Sequence, residues 1–195
     1  MKILDLCCGH GLAAIGYKQI FPHATIVGVD IEDMSSSYPF NFWRGDAFSL
    51  DYLVLANFDF IHISPPCQRY SKITPSRYRN AHPHLIPNAL RLGYASGKPF
   101  VVENVPGSTQ WLKPTCELRV GGKTRFFHAN FNIPKQQWEG SNIMSTRYSS
   151  KSDVFSSWGV PGTYKLGMRE LRQGIPPIMT MHIGRALMSS SYSWE

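Results

Sequence analysis

A short apolar run closed by two prolines does most to limit what this chain can become. Phe58 to Ser64 is rich in aromatic and β-branched residues, which reads as a buried strand. Pro65 and Pro66 then end it, because proline supplies no backbone N–H and pushes its predecessor towards extended geometry. Cys67 follows at once in a polar loop. A thiol at the carboxyl end of a buried strand is well placed to act as a nucleophile.

The rest of the chain reads as strands alternating with helices around that run. Met1–Cys8, Thr25–Asp30, Phe42–Asp46 and Pro99–Val105 are the other strands. Leu12–Phe21, Ser49–Ala56 and Pro87–Ser96 have helical spacing. Such alternation predicts an α/β fold with a doubly wound, mainly parallel sheet. Arg119-Val120 and Arg125 to Phe127 flank Gly121-Gly122, which predicts a hairpin. Periodicity says little about Asn130–Tyr164, and Trp138 and Trp158 there are expected to pack a small core. Met168–Gln173 and Thr180–Ser189 are expected to be helical, and the 195 residues to form one domain.

A composition 43% hydrophobic and 17% charged excludes a disordered chain. Twenty Lys and Arg against thirteen Asp and Glu give a net charge of +7, which favours a polyanionic partner. Cys7, Cys8, Cys67 and Cys116 lack zinc-site spacing and make a poor disulfide framework, so no metal and a reducing compartment are expected. No apolar run is long enough to span a bilayer, and the first residues lack a signal-peptide pattern, so the expected location is cytoplasmic, without a membrane partner.

Asp5 to Gly11 joins the first strand to the first helix. Gly9 and Gly11 permit a tight turn and close approach of a ligand to backbone N–H groups. Asp30 ends the second strand, near the distance at which an acid holds ribose hydroxyls in such folds. Asp46 is a further acid on the same rim. Gly9, Gly11 and Gly16 do not fit the dinucleotide fingerprint. The pattern points instead to an adenosyl cofactor without pyrophosphate, such as S-adenosyl-L-methionine, leaving S-adenosyl-L-homocysteine as product.

Three further residues suit chemistry on a pyrimidine. A thiolate adding to C6 of cytosine makes C5 enamine-like and able to attack a methyl sulfonium. That needs a cysteine of lowered pKa, a carboxyl of raised pKa at N3 and a cation near O2. Cys67, Glu103 at the end of the fifth strand, and Arg125 are the candidates.

Ser64-Pro65-Pro66-Cys67-Gln68 and Glu103-Asn104-Val105 resemble the Pro-Cys-Gln and Glu-Asn-Val motifs of the C5-cytosine DNA methyltransferases. Asp5 to Gly11 is similar to that family's cofactor loop. Thr124-Arg125, Arg169-Glu170 with Gln173-Gly174, and Ile183 to Ala186 are fainter likenesses, in family order over nearly the whole chain. The resemblance implies a class I S-adenosylmethionine-dependent fold and methyl transfer to C5 of a flipped cytosine through a covalent Cys67 adduct. Asp30 would bind ribose, Ile31 lie against the adenine and Asp46 contact its amino group. Gly9 and Gly11 would surround the methionine portion, with Asp5, Cys7, Ala47 and Pro65 also at the cofactor. Lys72 to Arg79 would be a mobile basic loop closing over the substrate.

Gln68, Arg69, Tyr70, Ser71, Lys72, Arg77, Arg79 and Lys123 are the expected nucleic-acid contacts, with Tyr70 or Tyr78 filling the gap beside a flipped base. Lys135, Trp138, Arg147, Tyr148 and Lys151 form a second basic and aromatic patch. Departures from the family pattern temper selectivity. Only about 130–164 remains for a recognition insertion, and Arg185 replaces an asparagine in the last segment. Relaxed specificity, or recognition lent by a second protein, is expected, as in a compact phage enzyme. DNA is the expected partner ahead of RNA. A tRNA cytosine-C5 methyltransferase is the first rival, because the Ser64-Pro65-Pro66-Cys67 form also resembles that branch. An exocyclic-amine methyltransferase and a catalytically silent DNA-binding subunit are the others.

Overall fold

The computed structural model describes residues 1–139, 150–164 and 166–190. Eight strands form one sheet: β1 (Lys2–Leu6), β2 (Thr25–Asp30), β3 (Asn41–Arg44), β4 (Phe60–Ile63), β5 (Phe100–Asn104), β6 (Cys116–Val120), β7 (Lys123–Ala129) and β8 (Gln136–Trp138). Their order is β3-β2-β1-β4-β5-β7-β6-β8. The first five run parallel, β7 is antiparallel to both β5 and β6, and β8 is parallel to β6. This is the sheet of a class I S-adenosylmethionine-dependent methyltransferase, and the doubly wound expectation holds.

The central strands are short and apolar because they are covered on both faces. On β1, Ile3 packs to one side and Leu4 and Leu6 to the other. The first side is closed by α1 (Leu12–Ile20) and α8 (Pro177–Met188), the second by α2 (Tyr52–Leu55), α4 (Ile86–Ala95) and α5 (Thr109–Leu112). Among the described residues there are three more helices: α3 (Ser76–Arg79), α6 (Lys151–Trp158) and α7 (Met168–Gln173).

The hairpin across Gly121-Gly122 is present as β6 and β7. The helix expected over 49–56 is instead a 3-10 turn, Ala47–Ser49, and the single turn α2, because Asp46 and Asp51 each cap a separate start. The stretch without periodicity supplies β8 and α6. Trp158, Val154, Phe131 and Ile133 from it are buried in the same core as α1 and α8, so among the described residues no separate small core forms. Their burial depends on contacts distant in sequence, which periodicity does not register.

Strand order reverses between β1 and β4, and such a switch opens a crevice at the carboxyl ends of the strands. The β1 end leads into Cys7–Gly11, and the β4 end into Ser64–Cys67. The fold therefore places the two motif loops side by side.

Candidate active site

A cavity of about 1210 Å³ lies at that crevice. Its walls include the first turn, the ends of β2, β4 and β5, the start of β7 and the α7 end. It brings together Asp5, Cys7, Gly9, Asp30, Ile31, Asp46, Ala47 and Pro65 with Cys67, Glu103 and Arg125.

The first turn is built by backbone in the left-handed region, with φ of 57° at Cys7, 49° at Gly9 and 78° at Gly11. Gly9 faces the cavity, and its N–H donates to Asp30 Oδ2 at 2.9 Å, tying the turn to the end of β2. Gly11 is not part of the lining. It packs under Tyr38 and Pro39, where a Cβ would sit 2.6 Å from Pro39 Cδ, so it shapes the turn rather than touching a ligand. Asp5 is fully buried. It accepts a hydrogen bond from the Tyr38 hydroxyl on Oδ2, while Oδ1 has no partner. Burial holds its carboxyl well above the usual range, helped by the charge of Asp30 and opposed by Tyr38.

Glu103 and the loop that carries Cys67 face one cavity from neighbouring strands, because β4 pairs with β5 through Ile63 and Val102. Glu103 is buried, and Arg125 Nε lies 2.7 Å from its Oε1. The N–H is not aimed along that line, so Oε1 has an ion pair but no hydrogen bond. Burial pushes the Glu103 carboxyl up, and Arg125 and Lys123 pull it part of the way back. Burial thus moves it in the direction that a proton donor to a ring nitrogen needs.

Cys67 departs from expectation. Its thiol is pushed up, first by burial and then by Glu103, against the pull of Arg125 and Lys123. The cations are present, but desolvation outweighs them in this arrangement.

The loop after Cys67 is tightly anchored. Asn104 Nδ2 donates to the Pro65 carbonyl at 2.9 Å. Tyr70, only 3% exposed, packs on Trp111, and its hydroxyl pairs with His84 Nδ1 at 2.7 Å. Tyr70 is therefore a loop anchor and not a residue that enters the gap left by a base. The large apolar side chains exposed here are Ile73 and Tyr78. Gly107 permits the anchoring, since a Cβ there would collide with the Tyr70 carbonyl.

Among the expected nucleic-acid residues, Gln68, Ser71 and Lys72 line the cavity mouth. Arg69 donates to the His82 carbonyl, and Arg79 to that of Thr74, so both also fold their own loop. Arg77 lies 4.8 Å from the Tyr78 ring at the exposed turn α3. Lys123 is a correction. It is 4% exposed, and its ammonium donates to the carbonyls of Leu171, Arg172 and Gly174 at 3.2, 2.8 and 2.6 Å. It caps α7 from inside and sits 4.7 Å from the Trp158 ring, which leaves it no reach to a phosphate. Burial and then Arg125 press it to lose its proton, and Glu103 and Cys67 oppose them. Arg147 and Tyr148 lie outside the described residues.

Phe48, Met34 and Arg172 also line the cavity and are not among the residues expected there. Phe48 follows Asp46 and Ala47 directly, and an aromatic beside two candidate cofactor residues was the available signal. Among the described residues no cluster of His, Cys, Asp and Glu suits a metal ion, and no helix is long and apolar enough to cross a membrane.

The chain resembles a solved methyltransferase of Entamoeba histolytica, EhMeth, with a TM-score of 0.66 at 11% identity, covering 96% of this chain and 98% of that one. The S. pombe Dnmt2 methyltransferase gives a TM-score of 0.46 at 14% identity, over 77% of this chain and 57% of its own. No curated protein matches the sequence. The site fits S-adenosylmethionine, the expected cofactor. Acids end β2 and precede the Ala47 turn, and Ile31, 66% exposed, offers an apolar face to the cavity. A family model, C-5 cytosine-specific DNA methylase, matches residues 1–111, more than half of the chain. With that match, with Cys67 and Glu103 at the ends of neighbouring strands, and with the reaction being methyl transfer to C5 of cytosine, the chain belongs to the C-5 cytosine-specific DNA methylase family.

Proposed function

We propose that this chain methylates C5 of a cytosine extruded from nucleic acid, through covalent addition of Cys67 to C6. The observation that carries the reading is that Cys67 lines one cavity with a buried Glu103 whose carboxyl is pushed up and whose Oε1 lacks a hydrogen bond. Glu103 presents a proton to N3 as Cys67 adds. Arg125, paired with it, steadies the carboxylate left behind and faces the developing charge at O2. S-adenosylmethionine supplies the electrophilic methyl. Asp30 holds its ribose, Ile31 and Phe48 flank the adenine, Asp46 and Ala47 border its edge, and Asp5, Cys7 and Gly9 face the methionine portion. A base then removes the C5 proton, and Cys67 leaves.

Two observations favour folded RNA of the tRNA kind over duplex DNA. The Ser64-Pro65-Pro66-Cys67 form resembles that of the tRNA-acting branch. The described parts of 130–164 put Val154, Trp158 and Val160 into the core, which leaves little for reading a duplex groove. The family description favours DNA, with relaxed specificity or a second protein supplying recognition. Trapping separates the readings. The full chain is incubated with S-adenosylmethionine and 5-fluorocytosine, placed either in duplex DNA or in tRNA. An adduct on tRNA alone, mapped to Cys67, establishes the RNA reading, and an adduct on duplex alone the DNA one. No adduct on either sinks the covalent mechanism.

A further inference from the structure

A buried hydrogen-bond chain runs from the core into the cavity and ends on a side chain given no role above. Tyr17 on α1 and His62 on β4 are both fully buried. The Tyr17 hydroxyl lies 2.7 Å from His62 Nδ1, and His62 Nε2 lies 2.7 Å from Ser64 Oγ. Ser64 lines the cavity.

The direction of this chain follows from its ends. Three groups in a row, each with a single transferable proton, leave one donor unused. Were His62 to carry its proton on Nδ1, the Tyr17 hydroxyl would accept, and its own proton would be stranded in the core, where it has no other partner. If Tyr17 donates to Nδ1 instead, the imidazole carries its proton on Nε2 and donates to Ser64 Oγ. The unused donor is then the Ser64 hydroxyl, in the cavity, where a ligand or water can take it. Burial agrees with a neutral chain, since it lowers His62 to about 3 and raises Tyr17 well above its usual range.

The position of Ser64 indicates what it meets. Its N–H donates to the Leu6 carbonyl, so it stands beside the first turn, on the β4 side of β1. Asp30, Ile31 and Asp46 lie on the opposite side, at β2 and β3. With adenosine over those residues, as proposed above, the cofactor crosses β1 and its amino-acid end arrives over the β1–β4 boundary. We infer that Ser64, held by Tyr17 and His62 as an obligatory donor, binds the α-carboxylate of S-adenosylmethionine and positions the methyl donor. The inference rests on that adenosine placement and not on the choice between DNA and RNA.

The test measures binding of S-adenosylhomocysteine and of 5′-methylthioadenosine, which lacks the amino-acid end, to the full chain by calorimetry. Ser64→Ala is expected to weaken S-adenosylhomocysteine roughly 10- to 100-fold, the range of a hydrogen bond to a charged group, and to leave 5′-methylthioadenosine within about twofold. Ser64→Thr, which keeps the hydroxyl, restores most of the loss. Tyr17→Phe frees the His62 tautomer and shows the same selectivity with a smaller loss. It carries the test should Ser64→Ala not fold, as judged by thermal melting. Unchanged S-adenosylhomocysteine binding in Ser64→Ala, or equal loss of both ligands, overturns the assignment. An equal loss of both in Tyr17→Phe overturns the relay. Asp30→Ala is the control for placement. It should weaken both ligands alike, and no effect on either shows that the adenosine placement has failed rather than the role of Ser64.

Discussion

Arg125 Nε stands 2.7 Å from Glu103 Oε1 at the floor of the cavity, with both side chains almost wholly buried. One guanidinium thus acts on two titrations. It draws the Glu103 carboxyl down against burial, and it draws the Cys67 thiol down against burial and against Glu103.

That coupling sets a pH profile. On the proposed mechanism methyl transfer needs Cys67 deprotonated and Glu103 protonated, so the rate falls at low pH where the thiol keeps its proton and at high pH where the carboxyl has lost it, and the two breaks belong to the pair rather than to either residue. Removing the cation raises both. Arg125→Ala is therefore expected to move the whole bell to higher pH while its maximum falls by about 10²–10⁴-fold. Single-turnover methyl transfer measured across pH checks it. A lower maximum with no displacement would mean that Arg125 touches neither titration.

Glu103→Gln keeps the volume and one donor but cannot give up a proton. Its expected signature is a rate loss of about 10²–10⁴-fold with S-adenosylhomocysteine affinity kept. Cys67→Ala should abolish both methyl transfer and the 5-fluorocytosine adduct, again with cofactor binding intact. Methyl transfer surviving in Cys67→Ala would point to an amine target that needs no thiol.

The parts of this site that sequence could reveal are those fixed by local chemistry. Two prolines fix the end of β4, glycines in the left-handed region fix the first turn, and an acid closing an apolar run marks Glu103. What stayed hidden depends on partners distant in the chain. Lys123 reads as a surface cation because nothing beside it shows that the carbonyls of 171–174 will surround it. Tyr70 reads as a free aromatic until Trp111 and His84 arrive against it. The direction of the Cys67 shift depends on a balance between burial and two cations, and composition carries no information about burial.

His62 links the fold to acid. Its pKa is lowered to about 3 by burial, from an ordinary value near 6.5. Below the unfolded value the unfolded chain takes up a proton that the folded chain refuses. Stability is thus full above pH about 6.5 and falls as pH drops towards 3, by at most about 1.4 kcal/mol per unit. His62→Gln should lower stability at neutral pH, because Tyr17 and Ser64 lose an ideal partner, yet flatten the decline below pH about 6. Urea melts of both proteins at several pH values check this, and parallel declines would remove His62 as the cause.

Lys123 and the loop cations should separate in salt. Lys123→Met strands three carbonyls at the α7 end, so stability should drop by about 2–4 kcal/mol, while the dependence of nucleic-acid affinity on salt stays as it was. Lys72→Ala and Arg77→Ala remove exposed charge beside the cavity mouth. Each should leave the melting temperature nearly unchanged and reduce the slope of log affinity against log salt by about one for each phosphate that the side chain had neutralised. Fluorescence-anisotropy titrations of labelled DNA and tRNA at several salt concentrations, run with thermal melts, measure both quantities on the same proteins. A salt slope that falls in Lys123→Met without loss of stability would place that ammonium at a phosphate and overturn its role as the cap of α7. The reverse result for Lys72 and Arg77, reduced stability with the slope intact, would remove the loop from the nucleic-acid interface.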